Sequence, residues 1–354
     1  MTMGRFDRHA TGRSGFHLER QFLCLAEQAP DAAWRCIVEN GWPGWRDWYV
    51  SRGGSSGSAA GRSLRAVRRY MPEMESLLDK LVGDHPEGDL LHQFLSFWCP
   101  PRYLVACTQL ASIDHDGPFL IRNYDLDPAL NEAIMLRSRW HARPVLGMVE
   151  GLSGMSDGIN AEGLAVSLSF GGRINSGTGF GIPMIVRYLL ETCSDVQQAI
   201  EALRFIPTHM SYNLTLVDAA GALATVMVSP DRPAIVLRRP WATNHQIGVE
   251  WPWHARFSGT MERAELLSEL SSTEPPTAEQ CKAMFHREPI YSRDYSEGYG
   301  TVFTSLYRPN AGTAEISWPN GVSKTRSLRD QGSAEITVSY SSNDSSAALK
   351  DAQP

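Results

Sequence analysis

The 354-residue sequence has no apolar stretch near the roughly 18 to 20 residues that a membrane span requires. It also has no run of lysines or arginines, and its formal net charge is −6, which disfavours a nucleic-acid surface or a polybasic membrane patch. The N-terminal stretch MTMGRFDRHATGRSGFHLER lacks the apolar core of a secretory signal. We therefore expect a cytoplasmic protein that acts on a small molecule, with no nucleic-acid or membrane partner.

Paired cysteines and nucleotide-binding glycine motifs are also missing. The six cysteines form no Cys-x-x-Cys pair and no His/Cys cluster, which argues against structural zinc and a disulfide framework. No Gly-x-Gly-x-x-Gly motif or P-loop follows a predicted strand. We predict no metal and no cofactor, and most of the cysteines should be reduced, buried thiols.

The sequence before residue 100 has a helical texture. Apolar residues recur at roughly helical spacing from about Phe16 to Trp98, among them Leu23 and Ala26, and a Gly/Ser-rich linker at Arg52–Arg62 interrupts them. The pair Pro100-Pro101 stops any helix. We expect a helical N-terminal segment that packs on an apolar surface through a tryptophan cluster, namely Trp34, Trp42, Trp45 and Trp48.

From Leu104 onward, short β-rich runs alternate with turn signals, and a few amphipathic helices interrupt them. The predicted helices begin near Pro183, near Ser194 as an N-cap, and at His254. Strands, then helices, then strands again indicate an α+β protein with mainly antiparallel sheet. The polar tail, residues 341–354, is expected to be disordered.

One cysteine stands in a chemically suggestive context. Cys107 begins an apolar strand, and a turn at Asp114–Gly117 would fold the next strand, with Arg122 and Asp125, back alongside it. A guanidinium lowers the pKa of a nearby thiol, and a carboxylate can orient a proton carrier. Taken alone, the cysteine is more typical of a small buried hydrophobe, and the Arg-Asp pair is more typical of an ion pair at a strand end.

The order of four short motifs carries a family resemblance. Cys107-Thr108 at a strand head, RNYD at 122–125, GINAEGL at 158–164 and ATNH at 242–245 together resemble the cysteine-type N-terminal nucleophile hydrolases. The most similar branch is the acyl-CoA:6-aminopenicillanate acyltransferases, peptidase family C45, with choloylglycine hydrolase and penicillin V acylase as more distant relatives. The resemblance covers residues 107–318.

The resemblance implies a four-layer αββα sandwich of two antiparallel sheets. It places the catalytic domain at residues 107–340 and a helical pro-segment at residues 1–106. It also implies that the Cys107 thiol attacks the Ala106 carbonyl, so that the Ala106-Cys107 bond is cut and Cys107 gains a free α-amino group. Such an amine, with an ordinary pKa of about 7.7–8.0, can carry the thiol proton. The cleaved pro-segment is expected to stay associated.

Further roles follow from the resemblance. Asp125 would hold the ammonium of Cys107, Arg122 would stabilise the thiolate and fix that carboxylate, and Asn244 would contribute to the oxyanion hole. Candidate residues of the substrate pocket are Asn160, Ser169, Phe170 and His245. Among these candidates, Asn160 is more typical of a hairpin turn than of a substrate contact.

The sequence departs from the bile-salt branch at two places. The bile-salt branch has a second oxyanion asparagine where this chain has Ser169 and Phe170, and its late arginine has no match in YGTVFTSLY at 299–307. These departures disfavour bile-salt hydrolysis.

Several functions stay open at this point. We expect hydrolysis of a linear N-acyl amide through a thioester on Cys107, with transfer of the acyl group from an acyl-CoA or acyl amide to an amine as the alternative. An uncut enzyme with a Cys107–histidine pair and a non-enzymatic ligand-binding module are further alternatives. Assembly into a homo-oligomer is also left open by the sequence.

Overall fold

The computed structural model describes residues 16–54, 59–103, 106–272, 274–318 and 321–342. Strands in these residues form two sheets. In chain order the strands are β1 His17–Glu27, β2 Ala106–Asp114, β3 Gly117–Asp125, β4 Ile134–Ser138, β5 Val145–Glu150, β6 Gly154–Asn160, β7 Ala165–Phe170, β8 Tyr212–Val217, β9 Leu223–Ser229, β10 Arg232–Leu237, β11 Trp241–Ala242, β12 Thr301–Arg308, β13 Thr313–Ser317, β14 Ser323–Ser327 and β15 Ala334–Ser341.

The larger sheet has nine strands in the order β10-β9-β8-β7-β6-β5-β4-β1-β15, and the smaller has six in the order β11-β2-β3-β12-β13-β14. Neighbouring strands are antiparallel except β1 and β4, which are parallel. The inner face of the smaller sheet, from β2 and β3, packs on β7 and β8 of the larger sheet. The prediction of mainly antiparallel sheets is thus confirmed, with one parallel pair.

Helices cover the outer faces of both sheets. Helices α5 and α6 pack outside the nine-stranded sheet, and α8 and α9 pack outside the six-stranded sheet, which completes the αββα layers. The helices are α1 Ala32–Ser51, α2 Ala59–Tyr70, α3 Glu75–Val82, α4 Gly88–Leu95, α5 Ile182–Thr192, α6 Val196–Phe205, α7 Pro252–Phe257, α8 Thr260–Leu270 and α9 Ala278–Phe285.

Strands between two covered faces are buried on both sides. Every residue of β7, AVSLSF, is buried, as is nearly all of β3. The sequences of such strands are continuous apolar runs and do not alternate between apolar and polar residues. Polar side chains inside them must therefore find partners between the layers, and this is where the chemically active residues lie.

The prediction that the N-terminal segment is helical from Phe16 is wrong at its beginning. Residues 17–27 form β1, which lies between β4 and β15 inside the nine-stranded sheet. Phe22 and Cys24 point into the core on a two-residue period, while Leu23 and Ala26 only happened to match a helical spacing. The helical prediction is confirmed for α1 to α4, although α2 begins inside the stretch predicted as a linker.

The boundaries of the other predicted helices shift slightly. Pro183 is the second residue of α5, as expected of a helix start, and α6 is capped by Asp195, which accepts from the Gln198 N–H, rather than by Ser194. The third predicted helix is divided into α7 and α8 at Gly259, whose φ of +59° is left-handed.

β15 extends to Ser341, and most of the tail predicted to be disordered, residues 343–354, lies outside the described residues. None of the described helices has the length and apolar character needed to cross a membrane.

Candidate active site

Cys107 is the second residue of β2, and the predicted β2–β3 hairpin places it beside the two residues that the sequence singled out. In the register of the hairpin, Cys107 lies opposite Tyr124, and Ala106 lies opposite Asp125. The Cys107 side chain is fully buried between the two sheets. The nucleophile predicted from the sequence therefore sits at the end of an inner strand, with its side chain facing the larger sheet.

Arg122 holds the Cys107 sulfur. Its Nη2 donates to Cys107 Sγ at 2.9 Å, and its Nη1 donates to Asp157 Oδ1 at 2.6 Å. Burial acts to lower the pKa of Arg122, but the facing groups of Cys107 and Asp157 outweigh it and raise that pKa, so the guanidinium stays charged. The predicted contact between Arg122 and the thiol is present in this structure.

Asp157 was missed by the sequence reasoning. It lies on β6 in the opposite sheet and accepts from Ser305 Oγ at 2.6 Å and from the Tyr307 hydroxyl at 2.8 Å, in addition to Arg122. The only signal in the sequence is a carboxylate within a strand whose neighbours are small or apolar. Because all of these groups are buried, Asp157 fixes the guanidinium of Arg122 in one orientation.

The thiol of Cys107 is neutral in this uncut chain. Burial raises the pKa of the Cys107 thiol to about 11, while the Arg122 guanidinium acts to lower it. Only a small fraction of the thiol is therefore ionised near neutral pH, and attack by the sulfur requires removal of this proton.

Asn244 holds the backbone nitrogen of Cys107. Its Oδ1 accepts from the Cys107 N–H at 3.1 Å, and its Nδ2 donates to the Phe170 carbonyl at 3.3 Å. Gly172 lets this segment approach, because a Cβ there would lie 2.3 Å from the Asn244 carbonyl oxygen. The amide group of Asn244 thus has a fixed orientation, with its oxygen bound by the Cys107 N–H and one of its two N–H groups bound to the Phe170 carbonyl.

Asp125 lies on the other face of β3 from Arg122, so the expected contact between these two residues is wrong. Residues three apart on a strand point to opposite faces, and Arg122 pairs with Asp157 instead. Asp125 accepts from the Thr301 hydroxyl at 2.7 Å and from the Tyr299 hydroxyl at 3.4 Å.

Arg263 is the cation that fixes Asp125, and the sequence reasoning did not find it. It extends from α8, forms an ion pair with Asp125, and donates to Thr108 Oγ1 at 3.3 Å and to the Pro289 carbonyl at 2.8 Å. Burial acts to lower the pKa of Arg263, and Asp125 more than offsets this. Its signal in the sequence was an arginine on the apolar face of α8, near Ala264 and Leu267.

The four predicted pocket residues have different surroundings. Asn160 makes the predicted hairpin turn, where its Oδ1 accepts from the Leu164 N–H and its Nδ2 donates to the carbonyls of Leu190 and Cys193. The turn and the C-terminal end of α5 use every polar atom of this buried side chain, which agrees with the hairpin-turn interpretation and leaves no atom of Asn160 for a substrate.

Ser169 and Phe170 lie beside the Asn244 segment. Ser169 donates to the Thr243 carbonyl at 3.0 Å, and Phe170 contributes its backbone carbonyl to Asn244. His245 follows Asn244 but turns away, with its Nδ1 3.2 Å from the Thr243 hydroxyl and 3.0 Å from that of Thr260. Among the described residues no histidine is hydrogen-bonded to Cys107, so the structure gives no support to a Cys107–histidine pair.

Two facing sheets with helices outside, and a cysteine at the head of an inner strand, define the class of N-terminal nucleophile hydrolases. The chain belongs to the family described as acyl-coenzyme A:6-aminopenicillanic acid acyl-transferase, whose sequence model matches residues 113–322. The match covers more than half of the chain and begins just after Cys107.

Solved structures with some similarity include three enzymes. Conjugated bile acid hydrolase from Clostridium perfringens has 13% identity and a TM-score of 0.39, covering 65% of this chain and 96% of that chain. Penicillin V acylase from Agrobacterium tumefaciens has 14% identity and a TM-score of 0.39, with coverage of 65% and 90%. The Caenorhabditis elegans N-acylethanolamine-hydrolyzing acid amidase ortholog has 15% identity and a TM-score of 0.39, with coverage of 57% and 93%. No curated protein matches the chain significantly. The family assignment rests on the sequence model and not on these structures.

Proposed function

We propose that this chain is a self-activating N-terminal-cysteine hydrolase that cleaves linear N-acyl amides through a thioester on Cys107. The main support for the proposal is that the sulfur and the backbone nitrogen of Cys107 are each hydrogen-bonded by a different residue. Arg122 Nη2 lies 2.9 Å from the sulfur, and Asn244 Oδ1 lies 3.1 Å from the backbone nitrogen. A cysteine that served only to pack the core would need neither contact.

Activation is an attack within the chain. The Cys107 sulfur adds to the Ala106 carbonyl carbon, the Ala106–Cys107 C–N bond breaks, and the nitrogen takes a proton to become an amine. Water then opens the thioester, which leaves a carboxylate on Ala106 and restores the Cys107 thiol. The contact with Asn244 supports this step because it holds the departing nitrogen in place.

Turnover repeats the same chemistry on a substrate. The new α-amino group, with an ordinary pKa of about 7.7–8.0, takes the thiol proton and later gives it to the leaving amine. The Arg122 guanidinium stabilises the developing thiolate, and the second N–H of the Asn244 amide is available for the acyl oxygen. Asp125, fixed by Arg263 and Thr301 and paired in register with Ala106, would hold the ammonium.

Transfer of the acyl group to an amine is the second candidate, and the description of the family favours it. The thioester is common to both reactions, and they differ only in whether water or an amine opens it. We place hydrolysis first, with transfer as the alternative outcome of the same test.

The N-terminal segment is proposed to remain in the enzyme after cleavage. β1 pairs with β4 on one side and β15 on the other, so removing it would expose two strand edges inside the nine-stranded sheet. Its loss would also open the core around Phe22 and Trp34. The active species is thus expected to be a nicked complex acting on a small N-acyl amide or acyl donor.

The direct test is the acyl-enzyme. Purified protein is mixed with a panel of N-acyl p-nitroanilides, quenched in acid, and analysed by mass spectrometry for an acyl adduct on the fragment that begins at Cys107. We expect the adduct and release of p-nitroaniline, both lost in Cys107→Ala and both kept in Cys281→Ala, which changes a buried cysteine elsewhere. Formation of an N-acyl product from an added amine would favour acyl transfer over hydrolysis as the function. Hydrolysis by Cys107→Ala at the wild-type rate would overturn the proposal.

A further inference from the structure

A buried glutamate that the proposed chemistry does not use lies close to Cys107. Glu150 ends β5 and is only 9% exposed, and its Oε2 has no hydrogen-bond partner among the described residues. A buried carboxyl oxygen without a partner costs about 1–3 kcal/mol or more, so it needs an explanation such as a ligand. Burial raises the pKa of Glu150 to about 7, although Arg122 and the nearby hydroxyls of Tyr103 and Tyr124 act to lower it.

The surroundings of Glu150 are those of the candidate active site. The guanidinium of Arg122 stacks on the Tyr124 ring, with its central carbon 4.5 Å from the ring centre. The negative charge of Glu150 acts to raise the pKa values of Cys107, Tyr124 and Tyr212, for each of which burial is the larger cause. The carboxyl group is therefore within electrostatic reach of the nucleophile.

In the uncut chain the side chain of Tyr103 lies beside Glu150. The hydroxyl of Tyr103 is buried and has no hydrogen-bond partner among the described residues, and its ring packs edge-on against Trp48 at 6.5 Å between centroids. Burial, and after it the charge of Glu150, raises the pKa of Tyr103 well above its usual value. The phenol and the carboxyl group also interact directly as side chains. Tyr103 belongs to the stretch that leads to Ala106, so cleavage would free the end of the segment that carries it.

We propose that the space filled by the Tyr103 phenol becomes the acyl-binding pocket after cleavage, and that Glu150 selects aromatic acyl groups bearing a hydrogen-bond donor. This inference rests on the proposed function, since it specifies the substrate of the same site. A phenolic acyl group would reproduce the ring of Tyr103 against Trp48 and offer its hydroxyl to the unpartnered oxygen of Glu150. An unsubstituted ring would leave Glu150 Oε2 without a partner, and sites built around a buried polar group discriminate strongly on this basis.

The test compares two substrates that differ by one hydroxyl, the p-nitroanilides of 4-hydroxyphenylacetic acid and phenylacetic acid. For the cleaved wild-type enzyme we expect kcat/KM to favour the hydroxylated substrate by about tenfold or more, as loss of one buried hydrogen bond implies. Glu150→Leu should bring this ratio to about one, chiefly by raising KM for the hydroxylated substrate. Glu191→Gln is the control, because Glu191 is a buried glutamate on α5, outside the nine-stranded sheet, where its Oε1 pairs with Arg187 Nη2 at 3.3 Å, and this variant should keep the wild-type ratio.

Inhibition by the free acids gives a second measurement that does not depend on turnover by a variant. 4-Hydroxyphenylacetate should inhibit the cleaved wild-type enzyme more strongly than phenylacetate, by a similar factor. Cleaved, active wild-type enzyme with equal kcat/KM for both substrates would overturn this inference and leave the proposed function standing, as would a ratio unchanged in Glu150→Leu. Wild-type protein that stays uncut and hydrolyses neither substrate would overturn both.

Discussion

Arg122 and Asp157 form a fully buried salt bridge that joins the two facing sheets, with 2.6 Å between Nη1 and Oδ1. Arg122 comes from β3 of the smaller sheet, and Asp157 comes from β6 of the larger one. The other end of the same guanidinium contacts the Cys107 sulfur. The position of the proposed catalytic group is therefore set by the packing of one sheet on the other.

Asp157 should matter for both stability and self-cleavage. Asp157→Ala leaves Arg122 buried without a counter-charge, and we expect a loss of about 3–5 kcal/mol in the free energy of unfolding. Asp157→Asn keeps the shape of the side chain and should be more stable than Asp157→Ala. It should still slow cleavage at Cys107, because Arg122 is no longer held by a negative charge. Urea unfolding and a time course of cleavage measure the two effects. Wild-type values of both in Asp157→Ala would show that the pair contributes nothing.

Arg263 should act as a positioning residue through Asp125. Replacing it by Gln removes a positive charge beside the carboxylate proposed to hold the α-amino group, so the pKa of that amine should rise. The acid limb of the kcat/KM profile should move to higher pH in Arg263→Gln, while Arg263→Lys should stay near the wild-type profile. A lower rate with an unmoved pH profile would mean that Arg263 is only structural.

Self-cleavage of the intact chain should accelerate with pH. Since burial holds the pKa of the Cys107 thiol at about 11 in the uncut chain, the thiolate fraction rises about tenfold per pH unit below that value. Chains made by cell-free synthesis and then transferred to buffers between pH 6 and pH 9 would show this as a cleavage rate that climbs steadily. A flat rate would indicate a nucleophile already ionised in the precursor.

Glu27, at the end of β1, should make the fold less stable at alkaline pH. Burial raises its pKa to about 8 from 4.5, so its stabilising contribution is present below pH 4.5 and is lost as pH rises towards 8. Glu27→Gln cannot ionise, and the fall in Tm between pH 5 and pH 8.5 should shrink by about 2–4 °C, the shift that roughly 1 kcal/mol produces in a large domain. Thermal unfolding at the two pH values is the measurement. An equal fall in both proteins would show that Glu27 stays neutral or does not affect stability.

The sequence could predict what depends on local order along the chain. The turn at Asp114–Gly117 and two apolar runs predict the hairpin that brings Arg122 to Cys107. The motif around Asn244 predicted a residue that the fold indeed brings to the Cys107 nitrogen. The layer order came from the family resemblance, because alternating strands and helices are compatible with several α+β folds.

The parts that the sequence could not show depend on contacts between distant elements. Arg263 is 138 residues from its partner Asp125, and no local pattern links a helix arginine to a particular strand carboxylate. Asp157 reaches Arg122 across the space between the sheets for the same reason. The strand β1 was predicted as helix because a short stretch can match both a two-residue and a helical spacing, and only its pairing with β4 and β15 decides between them.

The central claim is that the Ala106–Cys107 bond is cut by Cys107 itself, and intact-mass spectrometry of the purified protein tests it most directly. The account predicts two fragments that remain together on size exclusion, the second beginning at Cys107. It further predicts a single uncut chain in Cys107→Ala and normal cleavage in Cys281→Ala. A wild-type chain of full-length mass that still hydrolyses N-acyl amides would contradict it.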